Sequence, residues 1–171
     1  MGSAVSKVKL YRMILMSKSL KRVAKHATDL GLDIEIIEMV VPTKTAQQAA
    51  DAVNCHLDQI VKSIIFLGQV TNTPVLFLTA GGNRVCPDKA SHIAKEPLGK
   101  ADANLIRAKT GFAIGGVSPI GHMNPIRCFV DPRLLEFETV WAAAGTPNHL
   151  FSTHAQELLS ATQGVISDFC E

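Results

Sequence analysis

The stretches IVKSIIFLG (60–68) and PVLFLTA (74–80), separated by the turn-like QVTNT (69–73), decide the fold. Each is a short apolar run rich in β-branched and aromatic residues, and the polar connection between them is short enough for a hairpin. A hairpin at the heart of the chain argues against the regular alternation of a doubly wound parallel sheet. The expected class is α+β: a mixed, mostly antiparallel sheet surrounded by helices.

Working outward, SKSLKRVAKHATDLGL (17–32) places Leu20, Val23, Ala24, Ala27 and Leu30 on one helical stripe, and Gly31 supplies the stop. DIEIIEMVV (33–41) alternates as a half-buried strand. In TAQQAADAVN (45–54) Thr45 and Gln48 have capping-box spacing, which predicts a short helix. Beyond the hairpin come GGNRV (81–85), helices from about Asp88 and from about Ala101 to Lys109, and a glycine-rich turn. The remainder reads as a strand (PIRCFVD), a loop (PRLLEFE), a strand (TVWAAAG), a turn (TPNH) and a last helix near 155–162, capped by Thr153 with Gln156. Residues 1–16 lack a clean period and read as an N-terminal extension, and 17–171 as a single domain.

The chain has 171 residues, 47% of them hydrophobic, enough for one continuous core. Only 19% are charged and the net charge is +2, so no strongly basic field advertises nucleic acid; an RNA partner would be gripped locally. No run of about 18 apolar residues could span a bilayer and no signal peptide is evident, so the expected location is the cytoplasm. Cys55, Cys86, Cys128 and Cys170 form no close pair, and the six histidines show no metal-binding spacing. Neither a metal nor a cofactor is expected.

Three places could carry chemistry. Strand alternation puts Ile60, Lys62, Ile64 and Phe66 on one face and Val61, Ser63, Ile65 and Leu67 on the other. Lys62 on an apolar face either snorkels to water or meets an anion, because an unpaired buried ammonium is costly. Gly111 to Gly121 holds four glycines and Pro119, too many for a helix or strand interior. Such a loop is either a structural turn or a set of main-chain N–H groups offered to an oxygen. Ser118 is a poor nucleophile candidate: GVSPIG has one residue too many for a nucleophile elbow, and Pro119 has no N–H for an oxyanion hole. Ser118 stays a binding candidate. The third place is AAAGTPNH (142–149), where a small-residue turn at Gly145, Thr146 and Pro147 leaves room for a ligand and His149 adds a polar group. Thr43 and Lys44 are free to touch a ligand, whereas Thr45 is explained as a cap.

Taken together, TKTAQQAA, QIVKSIIFLG, GFAIGGVSPIGH and VWAAAGTPNHLF resemble, in order and spacing, the YbaK family of aminoacyl-tRNA deacylases, which includes the editing domain inserted in bacterial prolyl-tRNA synthetases. The resemblance runs from Ser17 to the C-terminus, and it implies that the mixed, mostly antiparallel sheet is barrel-like. It implies a hydrolase that deacylates tRNA, often proline tRNA, carrying a wrong small amino acid such as alanine, cysteine, serine, threonine or 2-aminobutyrate. It implies the acceptor end of aminoacyl-tRNA as partner, with a prolyl-tRNA synthetase as an associated one; a monomer suffices. The family's characteristic lysine matches Lys62, its glycine-to-proline loop matches Gly115, Gly116, Val117, Ser118 and Pro119, and its later turn matches Gly145, Thr146 and Pro147. Where the family often has an aspartate, this chain has Asn83.

On that resemblance Lys62, Gly115 and Gly116 are the expected catalytic groups, working by placement and oxyanion stabilisation. Thr43, Thr45, Asn83, Ser118, Pro119, Gly145, Thr146, Pro147 and His149 are expected to bind substrate, with Ile64, Phe66, Val117 and Ile120 as pocket walls. Lys44, Arg84 and Lys109 are candidate local contacts to RNA. Two rival readings stand beside this one: a non-catalytic RNA-binding or regulatory module, and an esterase for small molecules.

Overall fold

The apolar run at Ile60 becomes the strand about which the fold is organised. The structure is a computed structural model that describes residues 16–171; the N-terminal extension, but for Met16, therefore lies outside the described residues. In chain order the elements are α1 (Lys18–Asp29), β1 (Glu35–Glu38), α2 (Ala46–Val53), β2 (Ile60–Gly68), β3 (Pro74–Ala80), α3 (Pro87–Ala94), β4 (Leu98–Lys100), α4 (Ala103–Thr110), β5 (Arg127–Val130), β6 (Thr139–Ala143), β7 (His149–His154), α5 (Ala155–Thr162) and β8 (Val165–Ile166). Short 3-10 helices at Leu57–Gln59 and Pro132–Glu136 lead into β2 and β6.

Among the described residues, all eight strands join one mixed sheet in the order β1-β7-β6-β2-β3-β5-β8, with β4 also paired to β2. The expected hairpin is present, with Val61 opposite Ala80 and Leu67 opposite Pro74. Pairs β1–β7, β2–β4 and β6–β7 are antiparallel as well, while β2–β6, β3–β5 and β5–β8 are parallel. The sheet is thus mixed and antiparallel in its larger part, as the hairpin reading predicts. Its turn is fixed by Glu96, whose carboxylate accepts from the N–H groups of Val70 and Thr71 at 3.1 and 3.0 Å.

Alternation along the hairpin divides the core. Val61, Leu76, Leu78 and Ala80 pack with Leu20 and Val23 of α1, Ile106 of α4, Val117, and Leu158 of α5. Val75 and Phe77 face the other way, with Ile64, Phe66, Ala90 of α3 and Phe169 near the C-terminus. A smaller cluster closes α2 onto Ile60 and Leu150 through Ala49 and Ala50. Thr45 caps α2 as its spacing predicts, its side chain accepting from Gln48 N.

The structure corrects several elements. HLFSTH is the strand β7, where a turn and a cap are expected from sequence; Thr153 is buried within it, and α5 starts from His154 with no side-chain cap. Pairing with β6 on one side and β1 on the other overrides the local polar composition. PRLLEFE contains a 3-10 turn capped by Asp131, and the two-residue β8 and three-residue β4 carry no periodic signal.

After α4 the chain passes beneath the sheet. Phe112 is fully buried, His122 meets its ring edge-on at 5.4 Å, and the Arg22 guanidinium lies 4.6 Å from the ring centre. Burial pushes the His122 imidazole down from 6.5 to about 4. It is therefore neutral in the fold and takes up a proton on unfolding between those values. The stability this supplies is present above pH 6.5 and is lost as pH falls towards 4, by up to about 3 kcal/mol. Urea midpoints of wild type and His122→Leu at pH 7 and pH 4.5 test it: the wild type should lose more between the two, and equal losses would refute it.

Candidate active site

Strand β2 is only partly covered along one edge. Strand β6 pairs with it at Ile60 and Val61, and β4 pairs with it at Phe66, Leu67 and Gly68. Between them, from Lys62 to Ile65, no strand of the described residues lies across. A cavity of about 790 Å³ opens there and touches every residue from Ile60 to Ile65. Contact with consecutive residues, rather than alternate ones, is what a cavity running along a strand edge produces.

The remaining walls come from three directions. The chain before and within α2 gives Pro42, Thr43, Lys44, Thr45, Ala46 and Ala49. Helix α4 and the glycine loop give Ile106, Ile114, Gly115 and Val117, and the β6–β7 connection gives Ala143, Pro147, Asn148 and Leu150. Apolar walls dominate, and among the described residues the lining has two cations, Lys44 and Lys62, and no acidic side chain.

Lys62 reaches past the end of β3. Its Nζ donates to the Asn83 carbonyl oxygen. Asn83 is in turn fixed by its own side chain, Nδ2 donating to Asp131 Oδ2 at 2.8 Å, and by its N–H on the Ala80 carbonyl at 2.9 Å. Asp131, only 2% exposed, also accepts from Ala80 N at 3.1 Å, Arg133 N at 2.9 Å and Cys170 Sγ at 3.4 Å. Burial holds the Lys62 ammonium below the ordinary lysine value, and Arg84 adds to this, against the pull of Cys170, Asp131 and Asp58. One of its three donors is used, so two remain for a ligand.

The glycine loop meets the cavity at Gly115 and Val117. Gly115 has φ +88°, a conformation that disfavours any side chain. Gly116 is glycine for a different reason: an added Cβ would lie 2.7 Å from Thr146 Cα and 2.9 Å from Thr146 N. Its N–H already donates to the Ala113 carbonyl at 3.1 Å. Gly116 therefore locks the loop against the β6–β7 connection, and its amide is not free for an oxyanion. Gly116→Ala should cost about 1–3 kcal/mol, because backbone meets backbone and neither can give way cheaply. Chemical denaturation measures this, and an unchanged midpoint would show the two loops are not interlocked.

Of the residues singled out from sequence, Thr43, Thr45, Lys62, Ile64, Gly115, Val117 and Pro147 come together around the cavity. Others do not line it. Phe66 packs against Phe77 and Ile120 is in the core. Ser118 is fully buried with its Oγ accepting from Ile120 N at 3.3 Å, and Pro119 is buried beside it. Gly145 sits where a Cβ would touch the Ser19 backbone at 3.0 Å. Thr146 Oγ1 and His149 Nδ1 hydrogen-bond each other at 2.6 Å and border a second groove, beside Glu35–Glu38 and Leu20. Residues that the sequence reading passes over are Ser63, Ile65, Ile106, Ile114 and Asn148, which line the cavity, and Asp131 beneath it. Only Ile65 and Ile106 offered a signal, as apolar residues on predicted elements.

The aminoacyl-tRNA editing domain family model matches residues 40–161, a span that includes β2, the glycine loop and the β6–β7 connection. The uncharacterized protein YwhH of Bacillus subtilis (strain 168) is 29% identical over 140 residues, covering 82% of this chain and 88% of YwhH. Among solved structures, one described as a proposed trans-editing enzyme for prolyl tRNA synthetase is 39% identical with a TM-score of 0.86, over 91% of this chain and 99% of that one. The hypothetical protein APE2540 is 29% identical with a TM-score of 0.81, over 88% of this chain and 99% of its own.

Proposed function

The chain belongs to the aminoacyl-tRNA editing domain family, and on that premise we propose that it deacylates mischarged tRNA in trans. The favoured substrate is proline tRNA bearing a small non-cognate amino acid, and residues 17–171 act as one editing domain in the cytoplasm, in support of a prolyl-tRNA synthetase. The observation that carries this reading is the β2-edge cavity, where apolar walls, Lys62 with its ammonium tethered to Asn83, and a glycine loop come together.

An aminoacyl ester is already activated. Water adds to its carbonyl carbon, the bond to the ribose oxygen breaks, and that oxygen takes a proton, releasing amino acid and uncharged tRNA. The protein has to place the carbonyl and stabilise the oxyanion. Lys62 supplies positive charge, either to the oxyanion or to the terminal nucleotide. Since the Gly116 amide is committed, the main-chain donors best placed for the carbonyl oxygen are those of Gly115 and Val117. Ile64, Ile65, Ile106, Ile114 and Val117 bound the space for the side chain. A second sieve of this kind is needed because one methylene discriminates by only about 1–3 kcal/mol.

The test is a panel of proline tRNA charged with alanine, cysteine, serine, threonine, 2-aminobutyrate or proline, together with a simple alanine ester. At least one small non-cognate ester should be cleaved well above its buffer rate, with prolyl-tRNA spared and the simple ester little affected. Equal decay with and without protein across the panel would leave a binding module; turnover of the simple ester alone would leave a small-molecule esterase.

A further inference from the structure

The uncovered edge of β2 has a defined polarity. Gly68 N donates to Thr73 O on the β3 side, while Gln69 N donates to Pro97 O on the β4 side. In an extended strand the N–H and C=O of one residue point the same way and those of the next point oppositely. Counting back from Gln69, the main-chain groups of Ser63 and Ile65 point away from β3, into the gap between β4 and β6. Both residues line the cavity. Ser63 Oγ is in addition buried without a hydrogen-bond partner.

We propose that this main-chain edge reads the α-ammonium of the aminoacyl ester, with the carbonyl oxygens of Ser63 and Ile65 as its acceptors. The inference rests on the deacylase reading and adds to it how a free amino acid ester is recognised. A bound aminoacyl group brings a cationic donor into a space whose lining contains two lysines and no carboxylate. Its N–H groups must find neutral acceptors, because a charged donor left unmet in an apolar cavity is costly. The side-chain acceptors in the lining are neutral, the hydroxyls of Thr43, Thr45 and Ser63 and the amide of Asn148, and Thr45 Oγ1 already serves the α2 cap. An edge carbonyl is rigid, unneutralisable and common to every amino acid, so the α-ammonium is read independently of the side chain, in the manner of strand addition. The apolar walls then select by size alone.

The experiment uses the full chain and one tRNA carrying three esters: alanyl, lactyl (hydroxyl in place of the α-ammonium) and N-acetylalanyl. Single-turnover rates are taken over each ester's own buffer rate. The alanyl ester should be cleaved about 10- to 100-fold faster than the other two, the range expected for loss of a hydrogen bond to a charged group. Ser63→Ala should keep that ratio, since the carbonyl remains. Lactyl-tRNA cleaved as fast as alanyl-tRNA would overturn the edge while leaving the deacylase reading intact. Loss of the ratio in Ser63→Ala would transfer recognition to the hydroxyl and overturn the main-chain assignment. Failure to cleave any free-amino ester in the whole panel would remove the deacylase reading and this inference with it.

Discussion

Lys62→Ala is expected to slow deacylation of a susceptible mischarged tRNA by about 100- to 1000-fold, the usual cost of removing one aimed electrostatic group from an ester-cleaving site. The argument starts from an improbable position: an ammonium on the face of a strand shared with Ile64 and Phe66. Burial penalises its charge, yet it is retained and held by the Asn83 carbonyl. Because two donors remain unused and Lys62 lines the cavity, the loss should fall on the reaction far more than on the fold. Single-turnover rates and urea midpoints of the same preparation separate these effects. A variant with full activity would remove Lys62 from the mechanism, and one that simply unfolds would make it a structural residue. Lys62→Arg should recover little, because a planar guanidinium cannot occupy the same tether to Asn83 and still present the same point charge.

Asp131→Ala is expected to cost about 3–4 kcal/mol of stability. Its carboxylate is almost fully buried and gathers four donors from different parts of the chain: Ala80 N at the end of β3, Asn83 Nδ2 in the following turn, Arg133 N in the 3-10 helix and Cys170 Sγ near the C-terminus. Truncation leaves these four donors without their acceptor. Asp131→Asn keeps one acceptor oxygen and should cost less than Asp131→Ala. Denaturation curves decide it, and a cost below about 1 kcal/mol for the alanine variant would mean that water takes over the role of the carboxylate. Since Asn83 holds Lys62, Asp131→Asn should also lower activity beyond what its stability change explains.

The sequence makes the middle of the fold readable and its pairing unreadable. Strands β2 and β3 announce themselves because both are apolar runs flanking a short polar turn, and α2 because Thr45 and Gln48 carry its cap within one turn of chain. Strand β7 is hidden because HLFSTH mixes polar and apolar residues and is made a strand by neighbours on both sides. The same limit applies to the site. Lys62 is conspicuous locally, as a charge on an apolar face. The gap beside it is not, since it exists only because β6 stops at Val61 and β4 begins at Phe66. Gly116 is visible as a glycine, but the Thr146 backbone that forbids a side chain there lies in a distant segment. Ser118 is the converse case: suggestive in sequence, yet sealed in the core with its hydroxyl turned to Ile120 N.

The family assignment gives the reaction class, and the cavity gives the reason that placement can suffice for it. The most direct measurement is the single-turnover hydrolysis of alanyl-tRNA on proline tRNA by the wild-type chain and by Lys62→Ala. The account predicts rapid loss of the ester with wild type, near-buffer decay with the variant, and prolyl-tRNA untouched by either. Wild-type protein that leaves every small non-cognate ester at its buffer rate would contradict it.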